Sequence, residues 1–99
     1  MSKIRESARG EACQIRIPGV CNGDPATTVW CHANGTAAGK GLGQKSHDLL
    51  GAYGCSACHD FVDGRTKLWM TRDDRRLAFA EGHFRSLRIL IEKGLVRAA

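Results

Sequence analysis

The chain has 99 residues, 15 Lys or Arg against 10 Asp or Glu, and a formal charge of +5. That length makes one domain, and no apolar run approaches the ~18 residues a membrane span needs. Met1–Glu6 has a basic residue with no apolar stretch behind it, so the sequence reads as neither exported nor membrane-bound. Its five cysteines then point to metal or redox chemistry, not a disulfide scaffold.

In chain order, Ser2–Arg9 is a short helix candidate. Gln14-Ile15-Arg16-Ile17 alternates polar and apolar and predicts a half-buried strand ended by Pro18-Gly19. Thr27-Thr28-Val29-Trp30-Cys31-His32 is β-branched and aromatic, the second strand candidate. Gly35–Ser46 has four glycines, two lysines and no periodicity, which reads as a loop. It is not a phosphate-binding P-loop, because only three residues separate Gly35 from Gly39 and Gly41 stands where Ser or Thr should be. Residues 59–63 suit a short helix closed by Gly64. The last helix, about 72–94, starts at a capping box of Thr71 and Asp74. Leu77, Ala80, Phe84, Leu87 and Ile91 recur along it at helical spacing. That stripe could cover the chain's own core or a second subunit, so a homodimer is open.

Charge and core material are unevenly spread. Residues 1–63 balance six basic against six acidic side chains, whereas residues 64–99 hold nine against four. The first part also carries nine of the twelve glycines and all five cysteines, with only ten Leu, Ile, Val or Phe. At ~25 cal/mol per Å2 of buried apolar surface, so few side chains barely offset the entropy of ordering a glycine-rich segment. Small domains in that position usually recruit a metal or disulfides.

Cys55-Ser56-Ala57-Cys58 is a C-x2-C knuckle, and Cys13 and Cys21 form a looser pair around a Pro-Gly turn. Two thiolate pairs from separate loops suit structural, tetrahedral Zn2+. In a strand, Cys31 points away from the face of Trp30 and His32, which predicts a thiol packed inward, although it could replace Cys13 or Cys21 as a ligand. Cys55-x-x-Cys58-His59 also fits a c-type haem attachment pattern, but that chemistry needs export. A thioredoxin-like redox knuckle needs a βαβ setting that the sequence does not provide.

His59 and Asp63 are four apart, so a helix puts them on one face, where they can bind one divalent cation. His32 lies at the end of a strand candidate, before the glycine-rich loop. This order of strand, loop, knuckle and helix resembles the HNH (His-Me finger, ββα-metal) endonucleases. More narrowly, the chain resembles the YbcO-like prophage nucleases. The matching segments are Cys13-Gln-Ile-Arg-Ile-Pro-Gly-Val-Cys21-Asn-Gly, His32, Lys45-Ser-His-Asp48-Leu and Cys55-Ser-Ala-Cys58-His59-Asp-Phe-Val-Asp63-Gly-Arg65.

The resemblance, which runs from about Arg9 to Arg65, implies an α+β fold: a zinc-stapled ββα-metal core over about 9–65 with an amphipathic C-terminal helix. It implies His32 as general base, Asp48 as the polar residue orienting it, and His59 and Asp63 as ligands of a catalytic Mg2+ or Mn2+. The reaction would be phosphodiester hydrolysis in DNA, in the cytoplasm of a bacterial host. One position departs from the family pattern. Many HNH enzymes carry a metal-binding Asp or His just before the base, whereas this chain has Cys31. A neutral thiol is a poor ligand for hard Mg2+, which leaves His59 and Asp63, alone or with His47.

The basic surplus suits a polyanion. Lys40, Lys45, Arg65, Arg72, Arg75 and Arg76 are the DNA-contact candidates, with Lys67 beside them. Arg85 and Arg88 could pair with Glu81 and Glu92 instead. The competing reading is a non-catalytic zinc module that binds DNA or a protein through the same basic surface. His32 and Asp63 separate the two, because a binding module has no use for either.

Overall fold

The structure, a computed structural model, describes residues 3–33, 47–64 and 70–98. Its elements are helix α1 (Lys3–Glu6), a 3-10 turn (Pro25–Thr27), strands β1 (Val29–His32) and β2 (Gly51–Gly54), and helices α2 (Ser56–Val62) and α3 (Arg72–Glu92). Among the described residues the sheet is this antiparallel pair, with Trp30 opposite Tyr53 and His32 opposite Gly51. Strand β1 starts two residues later than expected. Asp24 caps the preceding 3-10 turn by accepting the Ala26 N–H at 3.0 Å, and Thr27 is held in that turn.

The second strand is not the expected Gln14–Ile17 but Gly51–Gly54, whose two glycines carry little intrinsic strand preference. All four of its residues are buried. At Gly54 an added Cβ would lie 2.8 Å from the Cys31 Sγ and 2.7 Å from Ile15 Cδ1, so only glycine lets the neighbours close in. The 14–17 segment buries Ile15 and Ile17, as its alternation suggested. It cannot continue as a strand, because Arg16 sits at φ +54°, outside the extended region. A single bond, Gln14 N–H to the Tyr53 carbonyl at 2.8 Å, joins it to the sheet.

Two small cores lie on the two sheet faces. Cys31 and Ala52 face Ile15, Ile17, Cys55, Cys58 and Phe61, while Trp30 and Tyr53 face Ala8 and Leu90. The Trp30 and Tyr53 rings meet edge to face at 5.1 Å. Helix α1 is shorter than the expected Ser2–Arg9. The Ser7 hydroxyl donates to the Ile4 carbonyl and also bonds the Tyr53 hydroxyl, both at 2.6 Å. Near the other terminus, Lys93 reaches Glu11 at 2.8 Å.

Helix α3 has the anticipated capping box, with the Asp74 N–H donating to Thr71 Oγ1 at 3.1 Å. Its buried face differs from the expected stripe. Leu77, Phe84 and Ile91 are 61, 69 and 53% exposed, and the face against β2 is Gly82, Ser86 and Leu90. Gly82 brings the helix so close that an added Cβ would lie 3.0 Å from Ile15 Cα. Besides the Gln14 N–H, two α3 side chains satisfy the edge of β2 turned away from β1. His83 Nδ1 donates to the Gly51 carbonyl at 2.7 Å, and the Tyr53 N–H donates to Ser86 Oγ at 2.9 Å. Arg85 also departs from the expected Glu81 pair. Its Nε donates to the Gln14 carbonyl at 2.8 Å, which ties the 14–17 segment to α3. Arg88 does pair with Glu92, at 3.2 Å. No helix among the described residues is long and apolar enough to cross a membrane.

Candidate active site and metal centre

The Cys13–Cys21 loop folds back because the Val20 and Cys21 N–H groups both donate to the Ile17 carbonyl, at 3.0 and 2.9 Å. Pro18-Gly19 makes that reversal, with Gly19 at φ +75°. Cys55 is the N-cap of α2, and its sulfur accepts the Cys58 N–H at 3.4 Å and the Asn22 N–H at 3.5 Å. These turns gather the ligand atoms of Cys13, Cys21, Cys55 and Cys58 to within 4.8 Å of one another, and Cys21 Sγ and Cys55 Sγ are 3.9 Å apart. A tetrahedron with 2.3 Å zinc–sulfur arms has edges of about 3.8 Å. The cluster could therefore hold a metal such as zinc with small shifts of the side chains.

Within the cluster the thiols are linked through hydrogen bonds. A hydrogen bond from the Cys58 thiol brings Cys13 down to about 4, and the same bond pushes Cys58 up. Burial raises Cys21. Cys31 stays outside the four. It is 1% exposed, its Sγ lies 3.8 Å from the Val29 carbonyl, and burial keeps it a neutral thiol.

His32 ends β1, and its Nε2 lies 2.8 Å from Asp48 Oδ1. Asp48 sits in the turn entering β2. The Trp30 indole N–H donates to its backbone carbonyl at 2.6 Å, while Arg5 approaches its Oδ2 at 3.9 Å. No local pattern in the chain points to Arg5 beside Asp48, because only the packing of α1 beside β1 brings it there. His47, the reserve metal ligand, accepts the Leu49 N–H on Nδ1 at 3.1 Å, within the same turn.

His59 and Asp63 meet at 3.1 Å, Nε2 to Oδ2, as their four-residue spacing predicted. Asp63 is the C-cap of α2, and Gly64 follows at φ +79°, where glycine is favoured. The helix that carries this pair is capped by Cys55, so the cysteine cluster fixes where His59 and Asp63 stand. The Asp63 carboxylate is also near enough to β1 for its charge to raise the Cys31 thiol. One His–carboxylate pair thus stands where β1 ends, and a second is carried by α2. The first can relay a proton, and the second offers one nitrogen and one oxygen donor to a cation.

Of the basic candidates, Arg72, Arg75 and Arg76 line one cavity with Val62, Asp63, Gly64 and Phe79. Lys40, Lys45, Arg65 and Lys67, and with them the 35–46 loop, lie outside the described residues.

Comparison with known proteins places the chain among relatives. The family described as "Putative nuclease YbcO" matches residues 2–95. The "Putative nuclease YbcO" of Escherichia coli (strain K12) is 42% identical over 98 residues, covering 99% of this chain and all of the relative. A protein of the same description from Enterobacteria phage 82 matches to the same extent. A solved structure, titled "Structure of a putative bacteriophage protein from Escherichia coli str. K-12 substr. MG1655", has a TM-score of 0.75 at 38% identity. It covers 93% of this chain and is itself covered completely.

Proposed function

The chain belongs to the YbcO nuclease family, and we propose that it is an HNH-type, metal-dependent DNA endonuclease with His32 as its general base. The observation that carries this reading is the 2.8 Å contact of His32 with Asp48, on the strand beside the helix that presents His59 and Asp63. A carboxylate at Nε2 favours the tautomer with the proton on Nε2, so Nδ1 holds the lone pair. Nδ1 takes the proton from water as its oxygen attacks phosphorus, and Asp48 steadies the imidazolium that forms. His59 and Asp63 would hold a Mg2+ or Mn2+ ion, with the carboxylate as the hard oxygen donor that both cations favour. When bound, the cation supplies positive charge to the phosphate and to the leaving oxygen. Cys13, Cys21, Cys55 and Cys58 would hold a structural Zn2+ that ties the Cys13–Cys21 loop to α2.

A plasmid-nicking assay with Mg2+ or Mn2+ tests the proposal. His32→Ala should lower the rate by roughly 100-fold or more, the usual share of a general base, while DNA binding survives. Equal nicking by wild type and variant would remove His32 from the chemistry. Binding without nicking by the wild type would make the chain a DNA-binding zinc module.

A further inference from the structure

Where α2 ends and α3 begins, a cavity of about 360 Å3 opens between Val62, Asp63 and Gly64 on one side and Arg72, Arg75, Arg76 and Phe79 on the other. The last four recur at spacings of three and four, so they share one face of α3. Among the described residues, none of these three arginines has a carboxylate within ion-pair distance. Arg75 lies over the Phe61 ring, 5.9 Å from its centroid, and its Nε is buried without a hydrogen-bond partner. Its neighbour Gly64 leaves the guanidinium room, since even an added Cβ would stay 3.6 Å from Nη1.

Three arginines and a single carboxylate on the wall of one cavity leave an excess of positive charge there, and like charges repel. An unsatisfied buried N–H adds a further cost. The charge excess is relieved by an anion with several acceptor oxygens, the geometry in which arginine binds phosphate best. The rest of the wall, Val62 and Phe79, is apolar and suits a flat, uncharged group. The volume lies at the small end of ligand pockets, enough for one nucleotide and too little for a base-paired step.

We propose that this cavity seats one unpaired nucleotide of the substrate strand, with its phosphate on Arg72, Arg75 and Arg76 and its base or sugar against Val62 and Phe79. Placing that nucleotide next to the cleaved phosphate rests on the nuclease reading, because Asp63 belongs to both the cavity and the proposed cation site. The substrate class that follows is DNA with an unpaired nucleotide at the cleavage point: a single strand, a frayed end or a branch. A nucleotide extruded from a duplex would pay its unstacking cost on entry.

The test is a titration of the full-length chain with thymidine 3′,5′-bisphosphate, followed by NMR, in buffer without added Mg2+ or Mn2+. Saturable shifts are expected at Val62, Gly64 and Phe79. Arg75→Met and Arg76→Gln should each weaken binding by about tenfold or more, as expected for losing a charge-assisted hydrogen bond. Arg76 is exposed, so its substitution keeps the test valid if Arg75→Met disturbs the fold. Inorganic phosphate should bind much more weakly, having nothing to place on the apolar wall. No shifts at the cavity, unchanged affinity in Arg76→Gln, or phosphate binding as tightly as the nucleotide would each overturn the proposal. Because this titration reads no turnover, it separates from the nicking assay. Loss of binding in the arginine variants of a chain that never nicks would keep the cavity and sink the nuclease. Nicking that depends on His32 in a chain whose cavity takes no nucleotide would do the reverse.

Discussion

Asp48 is the residue on which the proposed chemistry turns. Its carboxylate meets His32, its backbone carbonyl is held by the Trp30 indole, and Arg5 stands behind it. In the proposed mechanism the side chain positions the imidazole and does not itself touch substrate. Asp48→Ala should lower kcat by roughly ten- to a hundredfold, less than loss of the base itself, with KM nearly unchanged. Asp48→Asn, which keeps a hydrogen-bonding oxygen, should recover part of that loss in the same nicking assay. A merely structural role would show equal losses in both variants and a lowered Tm. The spacing of His59 and Asp63 was legible in the sequence, because a helix fixes four-residue neighbours regardless of what surrounds it. Asp48 was placed near its role by resemblance alone, since 16 residues separate it from His32 and no local rule connects them.

At the scale of elements, α3 shows how periodicity can mislead. The stripe of Leu77, Phe84 and Ile91 has the spacing of a buried face and is exposed, whereas Gly82 and Ser86, neither of them large or apolar, meet the sheet. The reason lies in β2. Each strand of a two-stranded sheet leaves its outer edge unpaired, and here His83 and Ser86, with the Gln14 N–H, satisfy that of β2 in place of a third strand. Such a contact needs a small residue for close approach and hydrogen-bonding ones beside it. Ser86→Ala should cost about 1–3 kcal/mol by leaving the buried Tyr53 N–H unsatisfied. Gly82→Val should cost at least as much, because its Cβ branches would press into the Ile15 backbone. By contrast, Leu77→Gln and Phe84→Gln should change stability by no more than about 0.5 kcal/mol. Thermal or urea denaturation of the four variants measures all of this, and a large loss in Leu77→Gln would mean the stripe is covered in solution. The Gln14–Ile17 segment teaches the same lesson in reverse. Its alternation named the buried side chains correctly, but the left-handed backbone at Arg16 is visible only once the cysteine loop is folded.

For the whole molecule, the decisive quantity is how little apolar core each face of the sheet owns. A domain of this size has a stability of only ~5–15 kcal/mol, and a structural zinc site contributes on the order of 10 kcal/mol. Removing the metal should therefore unfold the chain around Cys13–Cys21 and α2, and carry His59 and Asp63 with it. Metal analysis should find about one zinc per chain. Treatment with a strong chelator, or the double substitution Cys55→Ser and Cys58→Ser, should abolish cooperative thermal unfolding as read by circular dichroism. Retention of a sharp transition after the zinc is gone would show that the two small cores suffice.

The sequence by itself determined what depends on near neighbours: the two cysteine pairs, the His59–Asp63 spacing, the Thr71 capping box and the basic surplus after residue 63. These follow from helix and turn geometry, or from counting, and need no partner across the fold. Only the tertiary structure decided that Gly51–Gly54 is the second strand, that α3 buries Gly82 and Ser86, and that Arg85 serves the Gln14 carbonyl. It also decided that Arg72, Arg75 and Arg76 share a cavity with Asp63. Each of these depends on which backbone groups remain unpaired once the sheet has formed, and on how closely two surfaces can approach. Neither quantity has a local signature in the chain.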